Sequence, residues 1–304
     1  MCIRDRPRST ASLLVGIPAR AGPNRILGGP REPPSRPAPL RARGRSLDRQ
    51  DARPVAAAGP RGPSLAPRLA WLGLASAAAD LGSVYLKAPA APHGVTWGDV
   101  IEIAGTYALV ALYASIAISL VRAREPFSPG RAGLLPLVLL IAGFTSFTLG
   151  HGIHVAANSI HDLLGNAHGD PAVALAYFWD ERAGHIPVDL GRVLLAVALC
   201  ALEAGGAARP AGAAHGRTPA FALLGAAVYG FIYFATAVEG QTVPLALPFS
   251  AGLLAWGLWE RRRAGRPGPV VAFFTAAAIV SLLFFLFYGI WQRGFPEFTR
   301  AGIL

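Results

Sequence analysis

Three histidines and an asparagine, His151, His154, Asn158 and His161, recur at spacings of three, four and three residues, with Asp162 directly after. At about 100° per residue on a helix, these five side chains fall within an arc of roughly 100° and make one polar stripe. The run ahead of them, Leu134 to Leu149, carries no charge. Imidazoles grouped on so apolar a helix need partners: a bound metal, a proton path or a buried hydrogen-bond network. His151 and His154 can share a metal, because i,i+3 neighbours are adjacent and neutral imidazole is the commonest protein metal ligand. At 1.5 Å rise per residue His161 lies about 15 Å along the axis from His151. One ion cannot bind both, so His161 and Asp162 belong to a second subsite or to a mouth.

Further donors must come from another segment. Glu181 and His185 are four apart and share a face if their stretch is helical. His151, His154, Glu181 and His185 are therefore the candidate metal ligands. Two imidazoles from one helix with a carboxylate and an imidazole from another suit a divalent ion, zinc or iron. Asp180 and Glu239 are the candidate catalytic carboxylates, as general base on a bound water or as orienters of an imidazole. Two imidazoles on facing elements, such as His154 and His185, also allow axial haem ligation.

These residues need a scaffold, and the composition specifies its kind. The chain has 304 residues, 53% hydrophobic and 15% charged. Apolar segments recur at 69–86, 100–121, 134–157, 187–204, 219–239, 243–259 and 269–291. Each can cross a hydrocarbon core of about 30 Å, at or near the minimum length for a helix. The fold class expected is all-α, a polytopic membrane bundle of about seven transmembrane helices. The formal charge of +11 is no nucleic-acid signal, because it is concentrated before the first span: residues 1–66 hold 13 Arg against 4 acids, and residues 67–304 hold 15 Lys or Arg against 13 acids. The first 66 residues also hold 11 of the 26 prolines. They are expected to be a disordered tail, or translated upstream DNA, since Met1 to Arg6 looks like a translated sequencing adapter. Residues 67–304 form the seven-helix domain. With Cys2 and Cys200 alone there is no disulfide framework or thiolate metal site.

Basic residues in the short connections orient the bundle. Arg68, Arg122, Arg124, Arg131, Arg209, Arg217, Arg261, Arg262, Arg263 and Arg266 fall on one side; Lys87, Arg182, Arg192, Arg293 and Arg300 fall on the other. The first set is expected in the cytoplasm, with the carboxyl terminus outside, in the inner membrane of a bacterium. The outer side then collects the chemistry: the stripe, Asp180, Glu181, His185, Glu239, and Asp80 and Glu102 in the outward parts of spans one and two. A short helix opened by Pro171 and capped by Asp170, running to Trp179, is expected at the outer interface or against the bundle mouth.

Seven helices with a His/Asp-rich site near one membrane face resemble, in architecture, the superfamily of seven-helix membrane hydrolases that includes alkaline ceramidases. The resemblance covers residues 67–304. That superfamily carries a histidine pair on its last span, whereas Phe273 to Trp291 has none, so its catalytic residues are not carried over. The expected function is metal-dependent hydrolysis of a lipid-like or small-molecule substrate reached from the membrane lipids. The competing expectation is a transporter in which Asp80, Glu102, the histidines and Glu239 form a relay. Neither involves nucleic acid.

Overall fold

The computed structural model describes residues 65–91, 95–123, 131–164, 170–205 and 220–303. The tail expected to be disordered lies outside them, except for its last two residues, which open the first helix. The described residues form α1 (Leu65–Tyr85), α2 (Trp97–Arg122), α3 (Arg131–Leu164) and α4 (Pro171–Tyr177). A π-helical segment, Phe178–Gly184, joins α4 to α5 (His185–Ala204), and α6 (Ala220–Glu239), α7 (Val243–Ala264) and α8 (Pro269–Trp291) follow. The seven long helices coincide with the seven apolar segments.

Five helical stretches are long and apolar enough to cross a membrane: Trp97–Arg122, Gly133–Leu164, Pro171–Ala204, Ala220–Glu239 and Pro269–Trp291. This is fewer than the seven spans expected. Helix α1 is diluted by Arg68, Asp80 and many small residues, and α7 by two prolines and the Glu260–Arg263 run. The short helix before α5 starts as expected, with Asp170 accepting from the Ala172 amide at 2.8 Å and Pro171 in the first turn. It is not a separate interfacial helix, however, but runs without a break into α5.

Much of the apolar surface points outward. Leu134, Leu135, Ile141 and Leu149 on α3 and Leu283, Leu286, Phe287 and Ile290 on α8 are all exposed, as helices solvated by lipid require. Inward, the helices meet through small residues. A side chain at Gly73 would strike the backbone of Gly225, which brings α1 and α6 together. Gly143, Gly150 and Gly191 do the same between α3 and α5, against Leu195, Val188 and Phe147. Close approach of this kind is how helices associate where no hydrophobic force separates protein from solvent.

The helix starts are tied by side chains. Thr96 and Asp99 form a reciprocal capping box on α2: the Thr96 amide donates to Asp99 Oδ2 at 2.7 Å, and the Asp99 amide donates to Thr96 Oγ1 at 3.2 Å. Glu203, the one acid in the second half of α5, accepts from the Val270 and Val271 amides at 3.1 and 2.8 Å. It satisfies two of the unpaired donors at the start of α8.

Candidate functional site

Sequence spacing puts the imidazoles of α3 on one face, and the fold turns that face toward α2 and α5. His151 Nδ1 lies 3.1 Å from Glu102 Oε1 on α2, and both side chains are buried. Phe147, one turn before, packs edge-on against the His151 ring at 4.6 Å between centroids. The carboxylate fixes the tautomer: a proton on Nδ1 serves the hydrogen bond and leaves Nε2 as an acceptor. That Nε2 has no hydrogen-bond partner, and neither has Glu102 Oε2. His154 lies between two carboxylates, with Nδ1 at 2.6 Å from Asp180 Oδ1 and Nε2 at 3.7 Å from Glu102 Oε1. Asp180 Oδ1 and His154 Nδ1 are thus each other's nearest partner, an ion pair when the ring is protonated.

The π-helical segment delivers the other half of the cluster. Such segments are rare and concentrate at functional sites. In this one, Asp180 is buried against His154, and its neighbour Glu181 reaches toward His185, with Glu181 Oε2 3.8 Å from His185 Nε2. The His185 ring in turn packs on His154, 4.6 Å between centroids at 63°. Direct edge packing leaves no slot for a macrocycle between these rings, which removes the expected axial haem pair. Among the described residues no three His, Cys, Asp or Glu side chains are arranged to hold one metal ion. The four expected ligands do gather in one place, but as a network of close pairs.

A cavity of about 520 Å³ joins these pairs. Its polar end is lined by Glu102, His151, His154, Asn158, Glu181 and His185, and Asp80, Arg192 and Glu239 also face it. Its remaining wall is apolar: Leu81 and Val84 from α1, Phe231 and Ala235 from α6, Phe287 and Trp291 from α8. Leu81, Val84, Phe287 and Trp291 are also exposed on the outside of the bundle. The wall carried by α1 and α8 therefore includes residues that also reach the protein surface.

The remaining candidates have other work. Asn158 donates to Asp99 Oδ1 at 3.2 Å, tying the stripe to the capping box of α2. Asp162 pairs with Lys87 at 3.4 Å on the surface. The His161 ring lies 6.2 Å from that of Tyr177. Neither His161 nor Asp162 lines the cavity. Glu239, expected to be catalytic, holds the segment after α8: Oε2 accepts from the Phe298 amide at 2.7 Å and Oε1 from the Thr299 hydroxyl at 3.0 Å. Phe298 and Thr299 thereby close one side of the cavity.

Sequence reasoning missed Arg192, which it counted among the loop cations. The side chain is buried and donates to both oxygens of Asp80 at 3.0 and 2.9 Å and to Thr236 Oγ1 at 2.7 Å. Asp189 stands 3.5 Å away and accepts from the Thr242 hydroxyl. The signal was present: Asp80 lies within an apolar span, where a buried charge needs an opposite one, and Arg192 falls inside the 187–204 segment. No protein family, curated protein or solved structure matches the chain.

Proposed function

We propose that this chain is a multi-pass membrane enzyme that hydrolyses a lipid-like substrate at the His151–Glu102 and His154–Asp180 pairs. One observation carries the reading: buried imidazole and carboxylate atoms without hydrogen-bond partners are concentrated at the polar end of a cavity whose other walls are apolar. Among the described residues Glu102 Oε2 and His151 Nε2 are buried without a hydrogen-bond partner, Glu181 Oε2 has only the His185 ring at 3.8 Å, and His154 Nδ1 and Asp180 Oδ1 are left to each other at 2.6 Å. Polar atoms left unpaired in a low-dielectric site cost about 1–3 kcal/mol each, and active sites are where such costs are retained.

The chemistry follows from the pairs. His151, oriented by Glu102, accepts a proton from water at Nε2 as the water oxygen attacks an acyl carbon. Glu102 offsets the charge that forms on the ring. His154, protonated against Asp180, gives its proton to the leaving oxygen or nitrogen as the acyl bond breaks, and the proton held by His151 restores it for the next turnover. The apolar wall seats the hydrocarbon chain, which arrives between α1 and α8. Zinc or iron held by His151, His154, Glu181 and His185 would need these close pairs to open and converge on one ion; bound there, it would lower the pKa of a water and polarise the carbonyl. The proton transfers between water, imidazole and leaving group do not pass through it.

The reading includes seven spans in a bacterial inner membrane, with the cavity end outside. Moving Arg192 into the protein interior sharpens the charge bias that supports this orientation. The test uses detergent-purified protein with ester- and amide-linked lipids, following release of fatty acid by mass spectrometry. Cleavage that is lost in His151→Ala supports the proposal; no cleavage, or cleavage indifferent to that change, overturns it. Elemental analysis of the same preparations decides the metal: zinc or iron that is lost in His151→Ala and His154→Ala supports it, and a metal-free active enzyme assigns the chemistry to the side chains alone.

A further inference from the structure

The charges lining the cavity carry information about the head group it takes. Asp80, Glu102, Glu181 and Glu239 face it, against Lys87 and Arg192 as the only Lys or Arg among the described lining residues. Both cations are already engaged, Arg192 by Asp80 through two hydrogen bonds and Lys87 by Asp162. Glu239 is occupied by the Phe298 amide and the Thr299 hydroxyl. Two carboxylates are left with an unpartnered buried oxygen, Glu102 at Oε2 and Glu181 at Oε2. Glu102 is 2% exposed, so water does little to satisfy it. The three histidines His151, His154 and His185, with Tyr85 and Tyr288, are the remaining titratable groups among the described lining residues.

A phosphate or carboxylate placed here meets like charge, with no Lys or Arg among the described lining residues that is not already paired. A protonated amine meets two carboxylate acceptors in a low-dielectric setting, where charge-assisted hydrogen bonds are strong. The apolar part of the cavity, walled by α1, α6 and α8 with surface-exposed residues on α1 and α8, fits a hydrocarbon chain attached to that amine. We infer that the cavity selects a single-chain amphiphile with a cationic head, bound by Glu102 and Glu181, and excludes anionic lipids. The inference rests on the reading of the cavity as the substrate site and names the substrate class for it.

Binding tests it without any cleavage, so failure to find a hydrolysed lipid and failure of this inference are separate results. Purified full-length protein in an uncharged detergent is titrated with an alkylamine, the alcohol of equal chain length and the corresponding alkyl phosphate, each competing with an environment-sensitive fluorescent alkyl probe. The amine is expected to bind about tenfold or more tightly than the alcohol, the equivalent of one charge-assisted hydrogen bond, and the phosphate more weakly than either. Glu102→Gln and Glu181→Gln, close to isosteric, should each reduce the advantage of the amine while leaving the alcohol unchanged. Ala235→Trp, which fills the apolar wall, should weaken all three. Phosphate binding equal to or tighter than the amine, or an amine advantage that survives both glutamine variants, overturns the inference. The order of the three ligands on the unmodified protein decides the matter even where a variant fails to fold.

Discussion

Two buried polar groups share this cavity and differ in one respect, whether their atoms are matched. Around Arg192, both Asp80 oxygens, Thr236, Asp189 and Thr242 form a connected set that joins α1, α5 and α6 to the start of α7. Around His151 and His154 the side chains are also polar and largely enclosed, yet Glu102 Oε2, His151 Nε2 and Glu181 Oε2 lack hydrogen-bond partners among the described residues. A satisfied network in a membrane protein fixes how helices pack. An unsatisfied one at the polar end of a cavity is arranged for something that comes and goes. The comparison therefore assigns structure to the arginine set and chemistry to the histidine set, although a residue inventory would treat both as buried ionisable clusters.

The assignment breaks most visibly at His151. His151→Ala should reduce lipid cleavage by about 10²–10⁴-fold, the usual contribution of a positioned acid or base, with only a modest drop in thermal unfolding midpoint. Turnover and melting must be read on the same sample: a large stability loss with little loss of turnover would move the histidines into the structural class.

Arg192→Leu should show the reverse. It leaves Asp80 and Asp189 buried without their cation, and breaking a buried ion pair from one side costs about 3–5 kcal/mol. Chemical unfolding in mixed micelles measures it. Adding Asp80→Asn should recover part of that loss, because the second change removes the stranded charge. A double variant no more stable than the single one would show that Arg192 acts through packing instead.

Much of this division is legible in the order of residues alone. The periodicity of α3 places His151, His154 and Asn158 on one face, and the apolar runs locate all seven long helices. Sequence spacing pairs Glu181 only with His185; their place beside the stripe comes from the packing of α3 against the π-helical segment and α5. What is not legible has physical reasons. No local residue pattern announces the π-helical segment at Phe178–Gly184, yet it is what lets adjacent Asp180 and Glu181 serve two different histidines. Arg192 is misplaced by sequence reasoning because a basic residue near a span end has the same appearance whether it snorkels to water or turns inward to an acid. Glu239 is a candidate base in the sequence because it ends the 219–239 span on the side that collects the other polar groups; its Phe298 amide and Thr299 hydroxyl partners become visible only with the path of residues 295–299.

Glu239 offers a smaller test on the boundary between the two classes. Its carboxylate faces the cavity but is matched, so it should behave like the arginine set. Glu239→Gln keeps one acceptor and loses the charge, which should cost about 1–2 kcal/mol and loosen the segment after α8. Faster tryptic cleavage at Arg293 and Arg300, with global unfolding little changed, is the expected outcome.

The weakest effect belongs to the pair at the mouth. Lys87 and Asp162 are 3.4 Å apart, and Lys87 is about half exposed. Exposed ion pairs of this kind contribute about 0–1 kcal/mol and are screened by salt, so Lys87→Ala should leave the melting midpoint within that range. Because Lys87 also borders the cavity, the same change probes the cavity's charge preference from the opposite side. Removing a cation from a wall already rich in carboxylates should leave alkylamine binding unchanged or slightly tighter. A marked loss of alkyl phosphate affinity in Lys87→Ala would instead show that this lysine receives an anionic head at the mouth, and the line between matched and unmatched groups would have to be redrawn there.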